Sequence, residues 1–202
     1  DALGQLLTQT DALGQQTTFV YDKLGRLDSR TDHGATATDW VWDTEPNGIG
    51  QLDTVTAPGG YSESYTYDSF GRRSTFTTRV SGTDYLIDYT YDASLGTLWK
   101  LKYPTAVSAR YEVQYSYQNG YPKDVREVSA GTPLLWEAVA LDARGNVIQE
   151  MFGNNQQTYS NFDETNGRLN YLQTGSSGGS ATQNLNYSWD KAGNLVGRSD
   201  AN

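Results

Sequence analysis

The stretch Tyr21-Asp22-Lys23-Leu24-Gly25-Arg26-Leu27 places an aromatic residue before an Asp and puts a Gly three residues after that Asp. An Asp that opens a type I turn accepts the backbone N–H two residues on, and a Gly at the fourth position adopts a left-handed φ without steric cost. A type I turn followed by such a Gly is a common β-hairpin connection with a bulge. The stretch therefore predicts a hairpin turn between two strands.

The same pattern recurs along the whole chain at steps of 21 to 27 residues, a period typical of repeat architectures. Trp42 opens a copy with a longer loop, Leu141 replaces the aromatic residue in one copy, and the copy at Tyr117 has Asn119-Gly120 in place of Asp. Half-copies stand at Asp1–Gly4 and Asp11–Gly14. The motif positions are Tyr21, Asp22, Gly25; Trp42, Asp43, Gly50; Tyr67, Asp68, Gly71; Tyr91, Asp92, Gly96; Tyr117, Gly120; Leu141, Asp142, Gly145; Phe162, Asp163, Gly167; and Trp189, Asp190, Gly193.

The segments before the turns alternate apolar and polar residues with the period of a β-strand, as at Tyr111, Val113, Tyr115 and Tyr117. No segment has a sustained helical period. We therefore predict an all-β fold of tandem antiparallel β-hairpin repeats that form a curved, spiralling, solenoid-like sheet, a partial β-shell. The approximate repeats are 1–10, 11–31, 32–56, 57–80, 81–105, 106–130, 131–153, 154–175 and 181–202, with no separate catalytic domain.

The composition limits what this chain binds. Hydrophobic residues make up 36%, and Tyr (15) and Trp (5) outnumber Phe (5), so amphipathic rings supply much of the apolar surface and are expected to stack along the sheet. The net charge of −9 disfavours nucleic acid and anionic membranes, and no apolar run of 18 residues predicts membrane insertion. The chain has no Cys, and because it opens at Asp1 we expect a segment of a longer polypeptide.

The ionisable residues give no pattern typical of catalysis. The motif Asp residues could form a calcium ladder or a pair of catalytic acids, but their repeated short offset to Gly favours turn capping. His33, the single histidine, is predicted to lie in a solvated loop. We predict no catalytic, cofactor or metal site, and no enzymatic activity. The run from Gly175 to Ser180 is interpreted as a flexible inter-strand loop.

The Tyr and Trp rows allow a second interpretation, because carbohydrate-binding modules use exposed aromatic rows with neighbouring polar groups. The alternative is that the rings pack on one another to hold the sheet. The same register repeats in every copy, whereas a binding site would be local, so packing is favoured. Glycan binding therefore stands as the alternative function.

The recurring Tyr-Asp-x-x-Gly-Arg-Leu pattern, as in residues 21–27, resembles YD repeats, also called Rhs repeats. These occur in bacterial Rhs and wall-associated polymorphic toxins, in the B and C components of Tc toxin complexes, and in teneurins. In that family the strands spiral into a hollow β-shell around a cargo, usually a toxin polypeptide. The resemblance implies a structural role for the motif residues in such a wall, with the rest of a parent chain and a cargo polypeptide as partners.

The resemblance also implies a secreted or cell-surface bacterial protein. This chain has too few repeats to close a shell, and we find no candidate for the segment that ends the bacterial shells or for a toxin domain. Its open sheet edges predict edge-to-edge self-association.

Overall fold

The computed structural model describes residues 1–105, 108–176 and 182–202. The chain divides into two compact units, Asp1–Tyr111 and Glu112–Asn202. The described residues form 17 strands and one short 3-10 turn at Pro58–Gly60. They contain no helix with the length and apolar character needed to cross a bilayer.

The first unit is a meander in which each strand pairs antiparallel with the next along the chain. The alternating sequence pattern explains the strands, since alternate side chains point to opposite faces. The strands are β1 (Thr8–Thr10), β2 (Gln16–Tyr21), β3 (Leu27–Thr31), β4 (Thr38–Trp42), β5 (Leu52–Ala57), β6 (Tyr61–Tyr67), β7 (Arg73–Val80), β8 (Thr83–Tyr91) and β9 (Leu98–Thr105).

The second unit repeats this organisation, again with consecutive strands paired antiparallel. The boundary between the units falls inside β10. The strands are β10 (Arg110–Gln118), β11 (Tyr121–Glu127), β12 (Leu134–Leu141), β13 (Val147–Phe152), β14 (Gln156–Phe162), β15 (Leu169–Ser176), β16 (Gln183–Trp189) and β17 (Leu195–Asp200). The predicted fold class, an all-β array of antiparallel hairpins, is confirmed.

Each motif hairpin carries a register shift immediately before the first motif residue. In the hairpin β2–β3, Val20 pairs with Ser29, but Tyr21 pairs with Leu27. One residue of the returning strand, Asp28, is thereby left opposite no partner. Such a bulge bends the strand. Arg26 keeps its place in the hairpin, where its carbonyl accepts the Asp22 N–H at 2.9 Å.

Few side chains in either unit are fully buried. The buried apolar residues are Val55 and Tyr65 in the first unit and Val113, Ala138 and Leu185 in the second. Most strand residues are half-buried, because each sheet covers itself only with the side chains of its own two faces. Cross-strand pairs therefore supply much of the packing, as where the Tyr65 and Phe76 rings stack with centroids 5.0 Å apart.

The structure corrects one part of the sequence interpretation. Gly175 and Ser176 are not loop residues: they end β15 and pair with Gln157 and Gln156. Here strand pairing overrides the local preference of Gly and Ser for loops. The remainder of the run, residues 177–180, lies outside the described residues. His33 lies in an exposed turn between β3 and β4, as expected.

Candidate functional site: the motif turns

The motif turns hold the features that distinguish this sequence from other hairpin proteins. In the first copy, Asp22 Oδ1 accepts the N–H of Leu24 and of Arg26, both at 2.9 Å. The Gly25 N–H donates to the Asp22 carbonyl at 3.0 Å, and Gly25 has φ +82°. The carboxylate thus satisfies backbone donors that the tight turn would otherwise leave without a partner.

The other copies keep this geometry with local variations. The Asp68, Asp142 and Asp190 turns repeat the hydrogen bond from the glycine N–H to the Asp carbonyl, as do the half-copies at Asp1 and Asp11. The turns at Asp92 and Asp163 contain one more residue, so Gly96 and Gly167 donate to the carbonyl four positions back.

Two copies depart further. Asp43 itself has φ +66°, and its Oδ1 accepts the N–H of Gly50 across the longer loop. In the copy without Asp, Asn119 and Gly120 both have positive φ, at +53° and +84°, which is the two-residue hairpin turn that Asn-Gly favours.

Within each unit the motif turns lie at one end of the strands, because two strands separate each motif turn from the next. We call this end the motif edge. In the first unit, residues 1–4 belong to it as well, since β1 starts beside the end of β2. The opposite end carries the turn at Asp11–Gly14, which joins β1 to β2.

A first contact joins neighbouring copies, and we call it the backward contact. The polar tip of the motif aromatic residue donates to the carbonyl of the residue two positions after the glycine of the preceding copy. Trp42 Nε1 donates to Leu27 O, and Tyr91 Oη donates to Arg73 O, both at 2.9 Å. The other pairs are Tyr21 with Leu6, Tyr67 with Leu52, and Trp189 with Leu169.

A second contact, the forward contact, runs in the other direction. In it, the side chain of the residue after the motif glycine reaches the turn of the next copy. Arg72 Nη1 reaches the carbonyl of Gly96 at 3.2 Å, and Arg168 Nη1 reaches that of Asp190 at 2.8 Å. Gln51 Nε2 donates likewise to Gly71 O. In the copy at Asp142 the residue before the glycine, Arg144, makes this contact with the carbonyls of Glu164 and Thr165.

The forward contact depends on the absence of a side chain at the glycine of the next copy. A Cβ added to Gly193 would lie 2.9 Å from the Arg168 guanidinium, and one added to Gly145 would lie 2.5 Å from the Tyr121 ring. Gly167 faces Arg144 and Gly96 faces Arg72 in the same way. Glycine at these positions therefore permits both the left-handed turn and the close approach of the neighbouring copy.

Arg26 shows how one arginine serves several of these contacts. Its Nε binds Asp22 Oδ2 at 2.7 Å, and its Nη atoms bind both carboxylate oxygens of Asp43 in the next copy. Its guanidinium also lies 4.9 Å from the Trp42 ring centroid. Arg72 repeats the arrangement with Asp68 and with the Tyr91 ring, 4.2 Å away. Planar guanidinium groups suit bidentate carboxylate pairing and stacking on a ring.

These contacts shift the pKa values of the groups involved. Hydrogen bonds from Arg26 and from the Gly50 N–H hold the pKa of Asp43 below its usual value. Hydrogen bonds from the Asn194 side chain and backbone do the same for Asp190. Hydrogen bonds to Asp43 and Asp22 raise the pKa of Arg26. Asp43 and Asp190 are thus held ionised as acceptors, which suits turn capping and not proton donation.

Two open clefts flank the Asp142 turn in the second unit. A cleft of about 590 Å³ lies between this turn and the Asp163 turn, with Tyr159, Phe162 and Tyr171 in its lining. A second, of about 350 Å³, lies between Tyr121 and the Asp142 turn. No group of three or more His, Asp or Glu side chains within the described ranges could hold a metal ion.

The motif positions chosen from the sequence all lie at the ends of motif hairpins. Sequence reasoning found the turns but missed the contacts between copies. It expected the aromatic rings of successive copies to stack on one another, whereas the Arg72 guanidinium lies over Tyr91 and the ring tips bind backbone. Two signals point to these contacts: the recurrence of Gly-Arg at 25–26, 71–72 and 167–168, and the preference for Tyr and Trp over Phe.

Comparison with known proteins gives matches to sequence and to fold. The RHS Repeat family model matches residues 1–39. No curated protein sequence matches the chain. Among solved structures, the Photorhabdus luminescens Tc holotoxin pore matches with a TM-score of 0.72 and 18% identity over 100% of this chain. The TcdB2–TccC3–Cdc42 and TcdB2–TccC3 crystal structures match with TM-scores of 0.74, at 18% and 17% identity over 99% and 100% of it.

The chain spans 11% of the length of each of these Tc toxin chains. At this level of identity the structural matches establish the fold, and the match at residues 1–39 establishes the repeat. The chain therefore carries the RHS repeat and has the fold of the corresponding part of Tc toxin chains, which confirms its resemblance to the YD or Rhs repeat family.

Proposed function

We propose that this chain is a structural segment of a large Rhs-type protein and forms part of the wall of a hollow β-shell. The shell would enclose or display a cargo polypeptide, a toxin, in bacterial secretion or competition, from a secreted or cell-surface location. The observation that carries the proposal is the pair of contacts between copies at the motif edge. Within the first unit every copy is bound to its neighbours by these contacts, and within the second unit they join the Asp142, Asp163 and Asp190 copies. Such joining of neighbours is what a wall extended one hairpin at a time requires.

The chemistry of the motif edge supports a structural role and not a catalytic one. Asp22, Asp43, Asp68, Asp142, Asp163 and Asp190 all have lowered pKa values and accept hydrogen bonds from their own turns. A general acid needs a carboxyl group that keeps its proton near neutral pH, which calls for the opposite shift. We therefore propose that the chain is not an enzyme.

The cleft between the Asp142 and Asp163 turns favours a second candidate function, the binding of a carbohydrate. Tyr159, Phe162 and Tyr171 line it together with polar groups such as Asn161. Aromatic faces beside hydrogen-bonding groups are suited to sugar rings. Saturable binding of an oligosaccharide, abolished by Tyr171→Ala and unaffected by Tyr85→Ala in the other unit, would support this candidate.

Protection of cargo from protease tests the shell proposal. In the longer polypeptide that the proposal requires, we expect the enclosed cargo to resist a protease that digests it when free. Removing one whole hairpin, residues 57–80, should open the wall and expose the cargo. A matched variant, Leu13→Gln, changes an exposed side chain outside the motif edge and should leave the cargo protected. Cargo that is digested equally fast with an intact wall would contradict the proposal.

A further inference from the structure

The motif edge of the first unit carries a row of exposed apolar side chains. The residue immediately before the motif glycine is large and apolar in each of five successive turns, and these side chains are between 73% and 88% exposed. We call them the tip row: Leu3, Leu24, Ile49, Phe70 and Leu95. Each stands immediately before the turn glycine, where the side chain serves neither the Asp cap nor the glycine conformation.

The second unit shows that the turn does not require an apolar residue here. The same position is occupied there by Asn119, Arg144, Asn166 and Ala192, in turns that keep positive φ at the glycine. Most residues are compatible with this place in a type I turn. The tip row is therefore a property of one surface and does not follow from the hairpin geometry.

We infer that the tip row is an interface, and that its occupant is the tip row of a second copy of this chain. Exposed apolar side chains scattered singly need no explanation, but a contiguous set marks an interaction site. The five tips recur with every second strand, which places them roughly 10 Å apart along the edge. A second copy presents the same spacing, so each tip of one copy fits between two tips of the other.

The area available agrees with a reversible dimer. A buried side chain of this size removes on the order of 100 Å² of apolar surface from water, so five tips contribute on the order of 500 Å² from each copy. Stable interfaces bury about 1,200 to 2,000 Å² in total, and weaker, transient ones bury less. The tip rows alone therefore fall in the range of a weak, self-complementary contact with two-fold symmetry.

Charge argues against an anionic lipid surface as the occupant. The chain carries a net charge of −9, and the tip row is flanked by the motif carboxylates Asp22, Asp43, Asp68 and Asp92. Such a surface is repelled by anionic headgroups, which attract Lys and Arg clusters. The same charge also weakens contact between two copies, so the apolar tips supply its driving force and the dimer is a weak one.

The test is the mass of the intact 202-residue chain in solution. Sedimentation velocity from about 10 μM to about 1 mM should show reversible conversion from the 22.3 kDa monomer to a dimer. Replacing the two central tips, Ile49→Gln with Phe70→Gln, should raise the dimer dissociation constant about tenfold or more. Both side chains are exposed, so circular dichroism should not change, and the melting temperature should fall only slightly, because the Arg72 guanidinium lies 4.9 Å from the Phe70 ring.

The matched control is Leu13→Gln. Leu13 is 82% exposed and precedes a turn glycine, but it lies at the opposite end of β2 from the tip row. Dimerisation should be unchanged in this variant.

Three outcomes would overturn the inference. One is a strict monomer at the highest concentration. Another is association that persists in the Ile49→Gln, Phe70→Gln variant, which would assign it to the open strand edges. The third is flotation of the monomer with phosphatidylcholine vesicles that the same variant abolishes, which would assign the tip row to a lipid surface. None of these outcomes depends on an enclosed cargo.

Discussion

Residues 1–111 and 112–202 build the same motif turns with different side chains. In the first region the motif aromatic residues Tyr21, Trp42, Tyr67 and Tyr91 all carry a polar tip and all make the backward contact. In the second region Leu141 and Phe162 have no such tip, and Trp189 makes this contact. The glycine φ values are nevertheless similar, near +70° to +96°. The turn backbone is thus the constant element, and the side chains that join the copies are interchangeable.

The forward contact shows the same interchange. Arg26 and Arg72 in the first region and Arg168 in the second make it from the position after the glycine, while Arg144 makes it from the position before. Both positions flank the turn glycine, so either can direct a long side chain toward the next turn. The clefts flank the Asp142 turn, where Leu141 replaces the aromatic residue. The copy in which the motif ring is replaced by Leu141 is therefore the one that has an open cleft on each side.

The largest expected difference between the regions is in the loss of stability on truncating the side chain two residues before the first motif position. Tyr65, 8% exposed and stacked on Phe76, occupies that place in one copy. In another copy the residue there is Val139, which is 41% exposed and is skipped by the strand register, so that Ala138 takes the buried place. Tyr65→Ala should lower the free energy of unfolding by about 3–5 kcal/mol, because it leaves a cavity. Val139→Ala should change it by less than about 1 kcal/mol. Urea denaturation of both variants measures this, and equal losses would remove the distinction.

A smaller difference should separate two motif glycines. Gly50 has φ +83° and open space around it, whereas Gly145 has φ +85° and faces the Tyr121 ring. Gly50→Ala should cost about 1–2 kcal/mol through the left-handed backbone alone. Gly145→Ala should cost a further 1–3 kcal/mol or so from overpacking. In a double-mutant cycle, adding Tyr121→Ala should remove the cost of overpacking and leave the cost of the left-handed backbone. A cycle with no coupling would show that the ring does not constrain this glycine.

The backward contact should be weaker again. Tyr91→Phe removes the donor to the Arg73 carbonyl and should destabilise the chain by about 0.5–1.5 kcal/mol. Phe162→Tyr supplies a donor in the copy that lacks one, and we expect it to stabilise the chain by at most about 1 kcal/mol. Thermal denaturation of the two variants side by side measures both the expected loss and the expected gain in stability. Destabilisation by Phe162→Tyr would mean that the second region cannot accept this contact.

The ionic part of the forward contact should have the smallest effect and should depend on pH. The pKa of Asp43 is lower in the folded state, so its stabilising contribution is full above the unfolded value near 4. It is lost as the pH falls through the folded pKa. In Asp43→Asn the acid-induced decrease in melting temperature below about pH 4 should be shallower than in the original chain. Asp28→Asn, outside the motif turns, serves as the control, and an equal change there would contradict this account.

The sequence predicted the hairpins because turn chemistry is local. Asp22 and Gly25 lie three positions apart, and a type I turn with a bulge requires nothing from the rest of the chain. The period of the motif likewise predicted the repeat. The sequence misassigned Gly175 and Ser176, because composition alone cannot show that Gln157 and Gln156 supply them with a strand partner.

Only the tertiary structure decided how the copies are joined. Arg26 and Asp43 lie 17 residues apart, and the carbonyl that Trp42 binds belongs to Leu27 on another hairpin. These distances depend on which strand lies beside which and on the register in which neighbouring strands pair. The sequence determined each hairpin through short-range sterics and capping. The side-chain contacts between hairpins, and the edge on which the tip row stands, follow from strand order and register, which only the assembled sheet sets.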